Sequence, residues 1–433
     1  MSVIHFATEL SGGAGSFVRN IHIAMQDLGL PSLLLTRERN DLRDSVTIKP
    51  IKRVAGSLRA RLLTILGKLG AIDTSYAMFG IEKSPVSLSD IQHAIGSQTP
   101  TAFIFYWISY FVNFETILQL RQAYPKIPFV FVCTDEAFLT GGCHYSHGCL
   151  GYQKSCDNCP ATSLTRVKNR IAQGFLQRQA MISAINPIII YPTTNIQQMG
   201  KKSAVFKNIR SDVIPLGVIS NRELSSATNS VYRARSDRKN KNGKVILLIR
   251  SSSEYRKGCD LFVSALNAMS EQIPDLRTRL QVISIGDEAL LHAQIDKYVK
   301  HTAMGYVKRE DLMSIYSSVD AFIVTSREDG GPLMINECVA LGVFVISTPI
   351  GVAHDLIIEK QNGLITRDVS SEAISDSLTT FLYDYKTTGA EMADVSASHM
   401  RRSALTFEGY IESVMNLLKS APLSPNNESA PQL

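Results

Sequence analysis

Asp329 and Glu337 stand with seven residues between them in the segment EDGGPLMINECVALG, residues 328–342. An apolar run, AFIVTS, leads into two glycines. Pro332 then stands where a first helical residue is expected, and Gly342 closes the helix. This pattern puts a helix N-terminus at the carboxyl end of a strand, where free N–H groups and the helix dipole favour a phosphate. Side chains on a helix lean toward its N-terminus. Glu337, one turn inside, can therefore present its carboxylate to a ligand held above the first turn. An acidic loop that only caps a helix would carry the same residue types.

Four of the seven cysteines, Cys143, Cys149, Cys156 and Cys159, fall in one loop with spacings x5, x6 and x2. Four thiolates can close a tetrahedral zinc site, with His144 or His147 able to replace one of them. Reduced, unligated thiols are the alternative. Four protein ligands leave no open position, so such a metal would be structural. Cys133, Cys259 and Cys338 sit inside apolar runs and read as small core residues. An odd cysteine count in a chain whose start lacks a secretory leader speaks against a disulfide framework and for a cytoplasmic protein.

The elements that must position these residues alternate. VIHFA, the loop SGGAG and a helix stripe from Phe17 to Leu28 open the chain, and short apolar runs follow at AFIFYW, PFVFVC and PIIIY. A second set, VILLI, QVISI, AFIVT and VFVIS, follows a polar, basic stretch. Strands alternating with helices predict parallel sheets covered by helices. A length of 433 residues predicts two such domains. The expected division is an N-terminal domain over 1–218 with a cysteine-rich insertion at 139–160, a linker at 219–243 and a second domain over 244–402. A C-terminal helix at 403–419, packing back toward the first domain, and a disordered tail at 420–433 complete it.

With 45% hydrophobic and 19% charged residues the chain reads as globular. A net charge of +6 is modest for this length and does not indicate nucleic acid; a phosphorylated substrate or an anionic lipid surface fits as well. No apolar run is long enough to span a bilayer, which takes about 18 residues. The stretch IKRVAGSLRARLLTILGKLG, residues 51–70, puts leucines on one helical face beside arginines and lysines. It reads as a surface helix, or as one lying on an anionic membrane.

The segment from Glu328 to Ile357 resembles the donor-binding segment of family 4 glycosyltransferases, retaining enzymes of the GT-B fold, in which two Rossmann-like domains face a central cleft. The resemblance implies that Glu337 binds ribose hydroxyls, that Asp329 contacts sugar hydroxyls, and that Gly330, Gly331, Pro332 and Leu333 surround the donor with backbone groups. LIRSSSEYRKGCDLFVSAL resembles the family's arginine and lysine that hold the donor diphosphate, here Arg250 and Lys257, with Arg256 beside them. Two fixed cations stabilise the charge that builds on a departing diphosphate. The SGGAG loop resembles the family's first glycine loop, with Gly12 and Gly13 near donor or acceptor.

The run from Phe103 to Pro160 resembles a subgroup that builds bacterial exopolysaccharides such as colanic acid. That subgroup usually has His-Asp where this chain has Thr134-Asp135, so either Asp135 carries the role or activity is reduced. The resemblance implies a nucleotide-sugar donor, UDP- or GDP-linked, and a glycan acceptor on a lipid at the cytoplasmic face of the inner membrane. It implies no catalytic metal, and the chain has no Asp-x-Asp motif. A catalytically silent subunit, a sugar-nucleotide epimerase or hydrolase, and a zinc-ribbon nucleic-acid binder are the rival readings.

Overall fold

The computed structural model describes residues 1–48, 70–77, 86–226, 244–287, 291–388 and 403–420, with side chains except at 310 and 385–388. Residues 51–69 of the basic apolar stretch, 227–243 of the expected linker and 421–433 of the expected tail lie outside the described residues.

The chain forms two units, Met1–Pro215 with Ile411–Leu433, and Leu216–Tyr410. In the first, strands β1 (Ser2–Ala7), β2 (Ser32–Thr36), β3 (Ser45–Thr47), β4 (Pro100–Phe105), β5 (Phe129–Val132), β6 (Ile188–Tyr191) and β7 (Ser211–Val213) form one sheet in the order β3-β2-β1-β4-β5-β6-β7. Every pairing is parallel. The central strands are buried on both faces, and aromatic pairs bind them. Phe6 stacks on Phe105 at 4.6 Å, and Phe105 meets Phe131 edge-on at 5.3 Å.

In the second unit β8 (Val245–Ser251), β9 (Leu280–Gly286), β10 (Lys300–Ala303), β11 (Ala321–Val324), β12 (Phe344–Ser347) and β13 (Gly363–Ile365) are also all parallel, in the order β10-β9-β8-β11-β12-β13. Successive strand residues face opposite sides. Leu247, Ile249 and Ile323 therefore join one core layer, while Leu248, Phe322 and Val324 join another that takes in Val218, Ile219 and Leu405. The fold class is α/β with two Rossmann-like parallel sheets.

Strand order reverses between β1 and β4 in the first sheet and between β8 and β11 in the second. In open parallel sheets the carboxyl ends at such a reversal leave a crevice in which ligands bind. Among the described residues no helix is long and apolar enough to cross a membrane.

Candidate functional site

In the second unit the chain leaves β8 and β11 side by side, with Ile249 paired to Ile323, so the loops after both strands emerge at the reversal. Arg250 lies exposed at the carboxyl end of β8. Beyond it a 3₁₀ turn, Tyr255–Lys257, ends at Gly258, whose φ of +65° opens the helix Cys259–Gln272. A β-carbon at Gly258 would stand 1.9 Å from the Thr325 carbonyl oxygen, so only glycine lets this turn pass over the end of β11. Thr325 Oγ1 donates to the Lys257 carbonyl at 3.1 Å, and the Arg327 N–H donates to the Arg256 carbonyl at 2.7 Å. Arg327 also makes a bidentate pair with Asp260 at 2.6 and 2.7 Å, its guanidinium lying 3.9 Å over the Tyr255 ring.

This lacing brings Lys257 Nζ into direct contact with Asp329 Oδ2, and Arg256 Nη1 stands 3.5 Å from the same oxygen. Burial holds the Lys257 ammonium below its usual value; Asp329 pulls it back up and Arg256 and Arg250 push it further down. Asp329 Oδ1 accepts from the Gly331 N–H at 3.2 Å. Pro332, φ −61°, is the cap residue of the helix Leu333–Ala340, so the first helical residue is Leu333, one place later than the proline pattern suggests. At its far end the Val343 N–H reaches the Cys338 carbonyl at 2.7 Å and the Gly342 N–H reaches Val339 at 3.1 Å, the paired bonds of a Schellman cap.

Glu337 is 8% exposed. Tyr316 donates its hydroxyl to Oε2 at 2.5 Å and Arg309 donates to Oε1 at 3.3 Å. Burial raises the Glu337 carboxyl above its usual value, and these two donors act against that rise. Burial and the adjacent carboxylate push the Tyr316 phenol well up, so it stays a donor. Arg309 also donates to the Val218 carbonyl at 2.5 Å. A carboxylate has about four acceptor positions. Two are taken here, which leaves Glu337 able to accept from a ligand hydroxyl. Arg309 and Tyr316 escaped the residue-level reading, although their spacing of seven puts them on one face of the helix Arg309–Ser318.

In the first unit Gly12, φ +69°, begins the helix Gly12–Asp27 directly after β1, and Gly13 is exposed beside it. The close approach in this loop belongs to Gly15, where a β-carbon would stand 2.5 Å from the Glu9 carbonyl oxygen. Asp135 follows β5. Its Oδ1 accepts from the Ala137 N–H at 2.8 Å, and its Oδ2 lies 2.7 Å from His144 Nδ1. His144 Nε2 in turn lies 3.2 Å from Ser109 Oγ, beyond the end of β4. An imidazole thus reaches Asp135 from the cysteine-rich loop, nine residues on, although position 134 is a threonine. No spacing rule in the sequence announces that contact.

Cys143, Cys149, Cys156 and Cys159 are all free thiols lining one cavity, together with Tyr76, Tyr152 and Ile171. Burial pushes the Cys143 and Cys156 thiols up to about 12. Among the described residues no three His, Cys, Asp or Glu side chains are drawn together around a point where a metal would sit. His147 Nε2 lies 3.2 Å from the Ser75 carbonyl oxygen, and His144 is held by Asp135, so both rings face other partners.

Residues 233–394 match the family model "Glycosyl transferases group 1", a span that holds Arg250, Lys257, Asp329 and Glu337. WcaC of Escherichia coli strain K12, named for a glycosyl transferase of colanic acid biosynthesis, is 21% identical over 285 residues, 61% of this chain and 63% of WcaC. The chain spans less than two thirds of the length of the curated relatives it matches. Sucrose-phosphate synthase of Thermosynechococcus elongatus superposes over 96% of this chain and 98% of its own, with a TM-score of 0.63 at 17% identity. Anabaena HepE, solved in complex with UDP-glucose, does so over 97% and 100%, with a TM-score of 0.56 at 14% identity. The match to the group 1 glycosyl transferase model thus covers the stretch that carries the second sheet's reversal and its charged loops, and the fold is the GT-B fold of the structures on which the chain superposes.

Proposed function

We propose that the chain is a transferase that moves a sugar from a UDP- or GDP-sugar to a bacterial glycan, with retention at the anomeric carbon. The observation that carries the reading is the convergence of Lys257, Arg256 and Asp329 beside the Leu333–Ala340 helix at the β8/β11 reversal. Lys257 and Arg250 face the donor diphosphate, and Gly330 to Leu333 offer it backbone groups. Asp329 takes sugar hydroxyls and Glu337 takes those of the ribose. The bond between the anomeric carbon and the diphosphate oxygen breaks, and a bond to an acceptor oxygen forms on the same face of the sugar. The acceptor proton leaves with the diphosphate or to solvent. Arg250 and Lys257 balance the charge left on the diphosphate, so no metal is required for this step. Asp135, with His144 at 2.7 Å, is the first unit's candidate for supporting the reaction.

The similarity to WcaC, named for colanic acid biosynthesis, supports an exopolysaccharide acceptor; a lipid carrier met at the cytoplasmic face of the inner membrane is part of the same proposal. UDP-glucose, the ligand of HepE, is the first donor to test.

A thermal-shift series with UDP, GDP and their sugars checks the donor assignment. A nucleotide at a hundred times its dissociation constant adds about 2.7 kcal/mol of stability, an easily read shift. Incubation with donor and lipid-linked glycan, with the new linkage read by NMR, then checks transfer and stereochemistry. Release of free sugar or an isomer without acceptor dependence would replace transfer by hydrolysis or epimerisation. No response to any nucleotide would remove the reading.

A further inference from the structure

The loop between β5 and the helix Thr165–Ile185 contains only one short 3₁₀ turn, Gly151–Gln153, yet much of it is buried. Cys133, Phe138, Leu139 and Tyr152 carry part of it into the first unit's main core, whereas the stretch around the other cysteines adds only a small cluster: Cys159, Ala161 and Ile171, with Tyr76, Cys156 and Val167 against them. That small cluster does little to offset the entropy of ordering residues 143–159, and irregular stretches with few apolar contacts of their own are commonly held by a disulfide or a metal. No disulfide forms, since all four thiols are free.

Beneath the loop lies a buried cation. Arg178, on the helix Thr165–Ile185, is 2% exposed and donates to the Ala137 carbonyl at 2.7 Å and the Thr140 carbonyl at 2.5 Å. It makes no ion pair with a described carboxylate, and the groups whose charge would reach it are Cys156 and Cys143. A buried charge is costly unless something offsets it. Thiols supply an offset only as thiolates. Cys156 also holds a left-handed φ of +51°, a conformation that a non-glycine residue keeps only where its surroundings dictate it.

We propose that Cys143, Cys149, Cys156 and Cys159, which line one cavity without being drawn together around a point, gather on Zn²⁺ as the four thiolates of a structural site, with Arg178 offsetting the complex's net negative charge. Four thiols lose four protons to solvent as the ion binds, so Zn²⁺ with four thiolates carries a net charge of −2. The thiols line a common cavity, in which the Gly151 N–H points at Cys149 Sγ at 3.4 Å. The site clamps the loop that delivers His144 to Asp135 and Ser109. This inference does not depend on the transferase reading, and its test reads the metal itself.

The full chain, purified under reducing conditions without chelator, is analysed for metal by mass spectrometry. About one zinc per chain is expected. Cobalt exchanged into the site gives the sulfur-to-cobalt charge-transfer absorption of four thiolates and the visible bands of a tetrahedral ion. Cys156→Ser and Cys159→Ser lower bound zinc at least tenfold, whereas Cys259→Ser, on a different unit, keeps it. Should the serine variants fail to fold, the cobalt spectrum of the unaltered chain still decides. Less than a tenth of an equivalent of zinc, together with no thiolate–cobalt band after reconstitution, overturns the site. So does the loss of two or four titratable thiols to disulfides in the active preparation.

Discussion

Removing either partner of the Lys257–Asp329 contact should have unequal consequences. Both side chains are 11% exposed, so the pair is largely desolvated. Truncating one partner of such a pair costs about 3–5 kcal/mol, because the other charge is left buried alone. Asp329→Asn does this to Lys257, which then faces Arg256 and Arg250 with no carboxylate between them. Lys257→Met does not do it to Asp329, which keeps Arg256 at 3.5 Å and the Gly331 N–H at 3.2 Å. We expect a loss of about 3 kcal/mol for Asp329→Asn and about 1 kcal/mol for Lys257→Met. The double variant should be more stable than Asp329→Asn alone by about 1–2 kcal/mol, since a buried neutral pair replaces an unpaired ammonium. In a unit of this size each kcal/mol moves the melting point by about 2–4 °C. Calorimetry, which separates the transitions of a two-domain chain, is the suitable assay. Binding inverts the ranking: Lys257→Met should weaken UDP about tenfold or more, roughly 1.4 kcal/mol, while Asp329→Asn leaves UDP affinity within about threefold. Equal destabilisation by the two single variants, or strict additivity in the double, would refute the reasoning.

Glu337→Gln tests the buried carboxylate through pH. The folded carboxyl titrates above its ordinary 4.5, so ionisation penalises the folded state. That penalty is absent below 4.5, grows as pH rises toward the folded value and is constant above it. The glutamine variant should gain stability relative to the parent across that window, read by urea midpoints, while losing about tenfold in nucleoside diphosphate affinity. His5 titrates near 3 rather than 6.5 because it is buried, so its contribution is lost as pH falls below 6.5, at up to about 1.4 kcal/mol per pH unit. His5→Phe should flatten the acid limb of the stability profile between pH 4 and 6.5, and an unchanged slope would show that His5 does not govern it. Gly258→Ala, which forces a β-carbon toward the Thr325 carbonyl at a left-handed position, should cost about 3 kcal/mol or more and weaken UDP binding through displaced Lys257. A variant crystal structure or an unshifted melting curve would decide it.

Central features of this molecule were legible because they repeat a strong signal. Runs such as VILLI and AFIVT are continuous apolar strands buried on both faces, and they became β8 and β11. The strands missing from the reading, Ser45–Thr47, Ser211–Val213, Lys300–Ala303 and Gly363–Ile365 among them, are short; these four all lie at sheet edges, and three of them carry polar residues. Their pairing is set by neighbouring strands, which no local pattern carries. The two loops of the candidate site were visible as strand-loop-helix transitions with charged residues. Their mutual contact was not, because Lys257 and Asp329 are 72 residues apart in the chain. Arg327–Asp260 and Tyr316–Glu337 belong to the same class of long-range pairs. The His144–Asp135 contact is close in sequence but depends on how an irregular loop folds back, which composition does not specify.

The discontinuity of the first unit carries a consequence for synthesis and for truncation. Residues 216–410 form one uninterrupted stretch, so the second unit's chain is complete as soon as residue 410 has left the ribosome. The first unit, begun earlier, waits for Ile411 and beyond, where Arg210 finds the Ser420 carbonyl at 3.1 Å and hydroxyl at 2.8 Å. Vectorial folding therefore finishes the later unit before the earlier one. A stop codon at 411 would remove part of the first unit's own contacts and leave the second unit's chain entire. Such a product should be captured by chaperones through its first half, and limited proteolysis should trim that half first.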